Sequence, residues 1–428
     1  MSIQQRRQDR GQPLLDDDEG ANDCPDDVVP PEAPEVAKFT MKGELATMAA
    51  MGWPMVVSFV CRIGMASTDT AFVGHLTNST VGTFLNQTFT AEEYLAASSL
   101  SDMVVNILIV PPLAFNQVLN ALVGQALGSG NPKMAGTWLQ LSVFFLSLTY
   151  LPFLVAQYFV VGRFLHALGF SEDVCVLART YSRFQLLWPV PNGIYQCMRF
   201  YFQAQGISRP AMYNNIAFLG INVLLNWFFV FGGPFQYLPA GHNMAWHGFG
   251  FIGAAVSIST SRILQPFTYF LYMFVWRKAH RDTWPGLSWA FLQAERVKSF
   301  LKQALPLIGT LIFQSVAGQV QTLLIAKLGS LVIAANAAVG AATQVTSAGF
   351  SAAFGAVAAV RVGFHLGRGD AQSAKDAMNI VIGMSIISSL VTVGIFWPLR
   401  AQLCSLITTD PATEPVVSVK CGTTPFAF

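Results

Sequence analysis

Long apolar stretches alternate with short polar segments along most of this chain. A helix needs about 20 apolar residues to cross the hydrocarbon core of a bilayer. By this measure the pattern predicts nine membrane-spanning helices, at residues 45–72, 102–124, 138–161, 184–203, 212–231, 250–276, 303–326, 332–360 and 378–398. We therefore expect an all-α integral membrane protein.

The apolar pattern also repeats along the chain. Segment 123–131 returns as segment 362–370 with a shift of 239 residues, and with a shift of 252 residues Pro54 falls on Pro306. Six predicted spans precede the second copy, so both copies enter the membrane in the same orientation. This predicts two lobes related by a pseudo-two-fold axis along the membrane normal. The Gly-rich segments that follow the second and eighth spans are expected to be tight turns.

The repeat divides the chain into three predicted parts. Residues 1–37 are rich in Asp, Pro and Gln and are expected to form a disordered cytoplasmic tail. Residues 38–290 are expected to form an N-terminal lobe of six transmembrane helices, and residues 291–428 an incomplete second lobe of about three. Either the chain is a fragment of a twelve-span protein, or it is a real chain with an incomplete lobe. We favour the fragment, because an incomplete lobe would expose surface that evolved to be covered.

Composition excludes several classes of function. Hydrophobic residues make up 53% of the chain, charged residues 11%, and the net charge is +2, which does not favour a nucleic-acid partner. The six cysteines form no C-x-x-C pair, so neither a metal site nor a disulfide framework is expected. No catalytic triad or nucleotide-binding loop is found. We expect no enzymatic activity, no catalytic residue, no metal and no cofactor.

Charge placement predicts the topology. With a cytoplasmic N-terminus, the inner segments hold 17 Lys and Arg residues, Arg199 among them, and the outer segments hold 6. Two glycosylation sequons, at Asn78 and Asn86, fall on the side that this topology places outside. Segment 13–19 resembles an acidic dileucine sorting signal. The membrane is accordingly expected to be the plasma membrane or a vacuolar or endolysosomal membrane.

Motifs in both copies resemble the multidrug and toxic compound extrusion (MATE) family of transporters. They are the segments 69–76, 124–130, 202–210, 222–226 and 361–367. The resemblance implies two six-helix lobes around a V-shaped cleft, and export of organic solutes, often cationic, against an inward flow of protons or sodium ions. In many eukaryotic members span seven holds two glutamates that bind the coupling cation. Here those positions are Gln314 and Gln319, which cannot take up and release a proton.

Asp69 is the candidate ion-coupling residue, because it is the only carboxylate well inside a predicted span. A charged group in a span costs several kcal/mol, on the order of 3 by the lower estimates, and usually has a function. Asn222 and Asn226 are four residues apart and share one helix face, so their amides can reach Asp69 or a cation. Asn226 stands where bacterial members often have an aspartate. Asp69 could alternatively be a structural carboxylate that takes no part in transport.

The predicted substrate cleft contains Arg62, Tyr195, Gln314 and Gln319. Arg62 lies seven residues before Asp69, and helical side chains lean toward the N-terminus, so direct pairing of the two is not expected. Arg62 either faces the cleft, where it would favour an anionic substrate, or pairs with a neighbouring helix. Tyr195 belongs to a possible aromatic wall for a flat cation, formed with Trp188, Phe200 and Trp227. Asp102 is expected to cap the beginning of span two.

These observations predict a cation-coupled antiporter for xenobiotic efflux that works by alternating access. The proton is preferred as the coupling ion, with sodium as an alternative. The expected partners are a small organic substrate and the lipid bilayer, and the expected state is a monomer. One alternative is a truncated, non-transporting isoform. Another is a lipid-linked flippase of the same superfamily, which the small number of predicted intramembrane Lys and Arg residues disfavours.

Overall fold

The computed structural model describes residues 40–74, 76, 91–237, 246–287, 289–326 and 349–407. Within these residues the chain forms ten α-helices: α1 Met41–Gly74, α2 Ala91–Gly128, α3 Pro132–Ala167, α4 Glu172–Phe184, α5 Pro189–Ala204, α6 Arg209–Phe231, α7 Phe251–Phe270, α8 Ala294–Ala326, α9 Gly349–Gly367 and α10 Ala371–Ile407. Helix α7 continues as a π-helical turn, Leu271–Trp276, and short 3-10 helices occur at Gly233–Tyr237 and Trp289–Leu292. The predicted all-α fold is confirmed.

Six of the described helices are long and apolar enough to cross a membrane, namely α1, α2, α3, α6, α8 and α10. Helix α9 is a shorter apolar helix, and the predicted span 332–360 lies only partly within the described residues. The predicted tail 1–37 and the glycosylation candidates Asn78 and Asn86 lie outside the described residues.

The fourth predicted span, 184–203, begins five residues before the helix that it corresponds to, α5. The structure has two helices in this region, α4 and α5, joined by a bend at residues 185–188. Pro189 begins α5, where its missing N–H costs nothing, but it could not continue α4 without losing a hydrogen bond. The bend places Gln185 and Trp188 inside the bundle, where both side chains are buried.

The predicted beginning of span two is also wrong. Helix α2 begins at Ala91, so Asp102 lies eleven residues inside it and does not cap its N-terminus. The polar residues between Glu92 and Ser101 interrupted the apolar pattern, but alanines and leucines among them favour helix. Asp102 is consequently a carboxylate within the bundle.

The repeat is visible in the contact between α2 and α9. A Cβ atom on Gly124 would lie 2.5 Å from the Val360 carbonyl oxygen, and one on Gly363 would lie 2.7 Å from the Ala121 oxygen. These contacts are equivalent under the shift of 239 residues, and Gly128 and Gly367 make a second equivalent pair with Phe364 and Gln125. Residue numbers rise together along both helices, so the helices run parallel. The parallel orientation predicted from the repeat is confirmed for this pair.

The Gly-rich segments after α2 and α9 are turns, as expected. Gly130 and Gly369 both have positive φ, 75° and 76°. The backbone hydrogen bond from Asn131 N to Ala126 O, 3.0 Å, has its equivalent in the bond from Asp370 N to His365 O, also 3.0 Å. Left-handed glycines of this kind commonly end helices. The glycines within the helices serve close packing, a function that the sequence reading had not assigned to them.

Helix α2 is central to the bundle. It packs against α3, α4 and α5 of the first copy and against α8 and α9 of the second. Helix α1 packs against α6 and α9, and α6 packs against α7. This arrangement brings the polar residues of α1, α5, α6 and α7 together inside the first copy.

Candidate functional site

Asp69 lies near the end of α1 and is held by two amides from α6. Asn222 Nδ2 donates to Asp69 Oδ1 over 3.0 Å, and Asn226 Nδ2 donates to the same oxygen over 2.8 Å. All three side chains are buried, with exposures of 6%, 1% and 0% for Asp69, Asn222 and Asn226. The structure therefore brings together the three residues predicted to form the ion-coupling site.

The helical spacing of the two asparagines explains this geometry. Residues four apart share one face of a helix, and α6 presents this face to α1. Asn226 Nδ2 also lies 3.1 Å from the Asn222 carbonyl oxygen, which holds the amide in place. Its own Oδ1 is buried and accepts no hydrogen bond from the described residues. An acceptor of this kind beside a carboxylate could serve as a ligand for a cation.

A second carboxylate lies close to this cluster. Asp102 on α2 accepts a hydrogen bond from Gln185 Nε2, 3.2 Å, and interacts electrostatically with Asp69 and Arg262. Arg262 on α7 lies beyond salt-bridge distance of both carboxylates and stacks over the Trp188 ring at 5.1 Å. The expectation that Asp69 is the only carboxylate well inside a span is therefore wrong. It failed because the beginning of α2 was placed too late.

Arg62 does not pair with Asp69. It interacts electrostatically with Arg199, Arg262 and Tyr195. Arg199, which the charge count placed in the inner segments, lies within α5 and is 1% exposed. Tyr195 is fully buried on the same helix. The sequence does indicate this burial, because Arg199 stands in a segment whose other residues are mostly apolar and aromatic.

Gln314 and Gln319 lie on α8, apart from the Asp69 cluster. Gln314 is exposed and Gln319 is half-buried. An open cavity of about 920 Å³ occurs where α1 begins, between α1, the α5–α6 connection and α9. Its described lining includes none of Arg62, Tyr195, Gln314 and Gln319. The residues predicted for the cleft therefore lie in two different places. Arg62 and Tyr195 are in the interior of the first copy, whereas Gln314 and Gln319 are on α8.

A further ionic cluster joins the two copies, and the sequence reading missed it. Arg361 on α9 donates to Glu44 on α1 through Nε, 2.6 Å, and through a terminal nitrogen, 2.5 Å. His365 Nε2 lies 3.3 Å from the same carboxylate. The Glu44 side chain is 6% exposed and that of Arg361 is 17% exposed. Such a buried, bidentate pair fixes the relative position of α1 and α9.

A family model described as MatE matches residues 54–228 and 306–420, which is more than half of the chain. The chain belongs to the MatE family. Like the solved MATE structures, this MatE chain is a multi-pass helical membrane protein. The crystal structure of the eukaryotic MATE transporter AtDTX14 superposes with a TM-score of 0.73 at 18% identity, covering 89% of this chain and 78% of the other.

Curated relatives come from distant organisms. The uncharacterized transporter C4B3.13 of Schizosaccharomyces pombe is 25% identical over 383 residues, 88% of this MatE chain and 64% of the relative. Multidrug and toxin extrusion protein 1 of Xenopus tropicalis is 24% identical over 380 residues, 88% of this chain and 60% of the relative. This MatE chain therefore spans less than two thirds of the length of these relatives.

Proposed function

We propose that this chain takes part in cation-coupled export of small organic solutes by alternating access, with Asp69 binding the coupling ion. One observation supports this proposal above the others. Asp69 is buried and receives two amide hydrogen bonds, yet no described cation lies within salt-bridge distance of it.

A buried carboxylate without a paired cation is an expensive arrangement, because removing an ion from water costs several kcal/mol, on the order of 3 or more. Binding a proton or a sodium ion neutralises the carboxylate and removes much of this cost. Binding a cation therefore lowers the free energy of the site. If the site binds the cation more tightly in one conformation than in the other, binding is coupled to the conformational change. The proton is preferred as the coupling ion. The Oδ1 atom of Asn226, which accepts no hydrogen bond from the described residues, keeps sodium as the alternative.

The proposed cargo rests on the family. The Xenopus relative is named a multidrug and toxin extrusion protein, and a matching protein of Acinetobacter baylyi is named a probable multidrug resistance protein. Aromatic side chains such as Trp188, Tyr195 and Phe200 are buried in the first copy and would suit a flat organic solute. We propose a small organic solute on this basis.

The test is transport by the full chain in sealed proteoliposomes, with Asp69→Asn as the variant. The change keeps the shape of the side chain and removes its ability to carry a proton. We expect efflux driven by a pH gradient to be lost, while equilibrium binding of the transported solute stays within a few-fold of wild type.

The matched control is Asp102→Asn, which neutralises the neighbouring carboxylate that Gln185 binds. It should retain a substantial part of the efflux. A sodium gradient in place of the pH gradient distinguishes the two coupling ions. Undiminished efflux by Asp69→Asn under both gradients would remove Asp69 from the coupling mechanism.

A further inference from the structure

Helix α5 carries a buried polar face inside the first copy. Its residues follow the spacing i, i+3, i+4, i+7 and i+11, which places them on one side of a helix. They are Asn192, Tyr195, Gln196, Arg199 and Gln203, and each is at most 7% exposed. A polar face usually points toward water. Here it points into the bundle, where Arg199 contacts Phe59 of α1 and Tyr195 contacts Tyr269 of α7.

Several atoms of this face have no hydrogen-bond partner among the described residues. They are Asn192 Oδ1, Gln196 Oε1, both amide atoms of Gln203, and Nε and one terminal nitrogen of Arg199. An unsatisfied buried donor or acceptor costs about 1–3 kcal/mol, and more when it is charged. A polar group from outside the chain would therefore be bound favourably along this face.

Arg199 is the charged member of the face and is held in a fixed orientation. Its guanidinium carbon lies 4.8 Å from the centre of the Phe59 ring on α1 and 4.6 Å from that of the Phe200 ring. Stacking on aromatic rings positions a guanidinium but does not satisfy its N–H groups. The side chain is thus oriented, charged and still able to donate.

A second arginine lies close to Arg199 on α1. Arg62 follows Phe59, the ring on which Arg199 stacks, by three residues, so both lie on the same face of α1. Arg62 and Arg199 interact electrostatically as like charges, and one terminal nitrogen of Arg62 is buried without a hydrogen-bond partner among the described residues. Among the described residues no carboxylate lies within salt-bridge distance of either one. We call these two residues the arginine pair. Two adjacent buried cations repel each other, and an anion between them would reverse the sign of the interaction.

The nearby carboxylates Asp69 and Asp102 do not form ion pairs with the arginine pair. Asp69 is bound by the asparagines of α6, Asp102 by Gln185, and the arginine that interacts electrostatically with both is Arg262. Tyr195 and Tyr269 lie beside the pair, with ring centres 5.3 Å apart. Their hydroxyl groups offer further donors at a position that already carries excess positive charge.

We propose that the arginine pair is a binding site for a monovalent anion within the first copy. Two sources share this chemistry: a halide ion from solution, and the carboxylate of an organic acid that the protein carries. The second source rests on the proposed export function, whereas the first does not. In either case the site is separate from the Asp69 cluster, which binds the opposite charge.

The site is tested by equilibrium binding to the purified full chain in detergent. Sodium methanesulfonate, whose anion is neither a halide nor a carboxylate, is replaced stepwise by sodium chloride, or by sodium benzoate, at constant ionic strength. Tryptophan fluorescence reports the midpoint temperature of unfolding. An anion that binds only the folded protein should raise this midpoint in proportion to the logarithm of its concentration once this exceeds the Kd, by about 1–2 °C at tenfold the Kd.

The two probes distinguish the sources. A rise of the midpoint with chloride, without any effect of benzoate, assigns the site to a halide. A rise with benzoate in chloride-free buffer assigns it to an organic carboxylate. If neither anion raises the midpoint of the wild-type protein, the proposal is overturned, and water alone hydrates the arginine pair.

Substitutions test whether the anion binds at the arginine pair. Arg199→Gln keeps hydrogen-bond donors but removes the charge, so the anion should bind at least tenfold more weakly. The matched control is Arg163→Gln, at an exposed arginine on α3, which should bind as wild type does. If Arg199→Gln does not fold, Arg62→Gln replaces it, and unchanged binding in a folded variant of the pair contradicts the proposal.

Asp69→Asn separates this proposal from the export mechanism. Asp69 is not part of the arginine pair, so this variant should bind the anion with wild-type affinity even when efflux is lost. Loss of anion binding in Asp69→Asn would show that the anion depends on the Asp69 cluster, and would refute a separate site.

Discussion

Helix α1 carries two buried carboxylates with opposite surroundings. Glu44, near the beginning of the helix, receives two hydrogen bonds from Arg361 and lies 3.3 Å from His365. Asp69, near the end, receives two hydrogen bonds from neutral amides. The first carboxylate is neutralised by a cation of the chain itself, Arg361, whereas the second can be neutralised by an ion from solution. The same residue chemistry thus suits a fixed contact at one end and ion binding at the other.

Neither carboxylate has an equivalent in the second copy. With the shift of 252 residues Glu44 falls on Arg296 and Asp69 falls on Gln321, and with the shift of 239 residues Arg361 falls on Leu122. The glycine contact between α2 and α9 is symmetric, but the charged clusters are not. The contact between α2 and α9 therefore follows the repeat, while the two buried carboxylates of α1 are specific to the first copy.

The largest effect on stability is expected from Glu44→Gln. This change leaves the Arg361 guanidinium without the carboxylate of Glu44 in a mostly buried position, and breaking a buried ion pair costs about 3 kcal/mol or more. Asp69→Asn should be neutral or stabilising, because the new side chain has the same shape, no ion pair is broken and a buried charge is removed. The measurement is thermal unfolding of both variants in the same detergent.

A double-mutant cycle tests whether the unpaired charge of Arg361 causes the destabilisation by Glu44→Gln. Arg361→Gln combined with Glu44→Gln should recover part of the loss, because the double variant leaves no unpaired charge between these two positions. Equal destabilisation by Glu44→Gln and Asp69→Asn would contradict the distinction between the two ends of α1.

A smaller effect on stability is expected at an exposed carboxylate, Asp370, which serves as a reference for the buried carboxylates Glu44 and Asp69. Asp370 precedes α10 and accepts hydrogen bonds from Ser373 Oγ, 2.5 Å, and Ser373 N, 3.0 Å. These bonds hold the pKa of Asp370 below its ordinary value of 3.8. Because the folded-state pKa is lowered, the stabilisation is present above about pH 4 and is lost as the pH falls through the folded pKa.

The variant for this reference is Asp370→Asn, followed by thermal unfolding between neutral pH and about pH 3. The difference from wild type should be small and constant above about pH 4, and should shrink below it. Asn131, the equivalent residue before α3, makes no side-chain capping bond, so Asn131→Ala should show no such dependence on pH. A difference that grows as the pH falls would contradict the sign of the Asp370 contribution.

Much of the fold could be predicted from the sequence, because apolar length and repetition are local and additive properties. The parallel contact of α2 and α9 follows from the order of the spans. The Asp69 cluster was predictable from two asparagines at helical spacing and one acidic residue in an apolar segment. Each of these signals lies within a single helix or within a motif that recurs.

The missed contacts depend on residues distant in sequence. Glu44 and Arg361 are 317 residues apart, and no local pattern indicates that they meet. Arg199 was placed near a predicted boundary, and hydropathy cannot distinguish an arginine at the end of a span from one buried inside the bundle. The position of Asp102 depended on a helix beginning that polar residues concealed.

Infrared difference spectroscopy tests most directly the claim that Asp69 carries the coupling proton. Spectra of the full chain in lipid at low and high pH are subtracted, and the carbonyl band of a protonated carboxylic acid is followed. We predict that this band contains a component that disappears in Asp69→Asn and persists in Asp102→Asn. A band of unchanged amplitude in Asp69→Asn would show that Asp69 takes up no proton, and would contradict the proposed coupling mechanism.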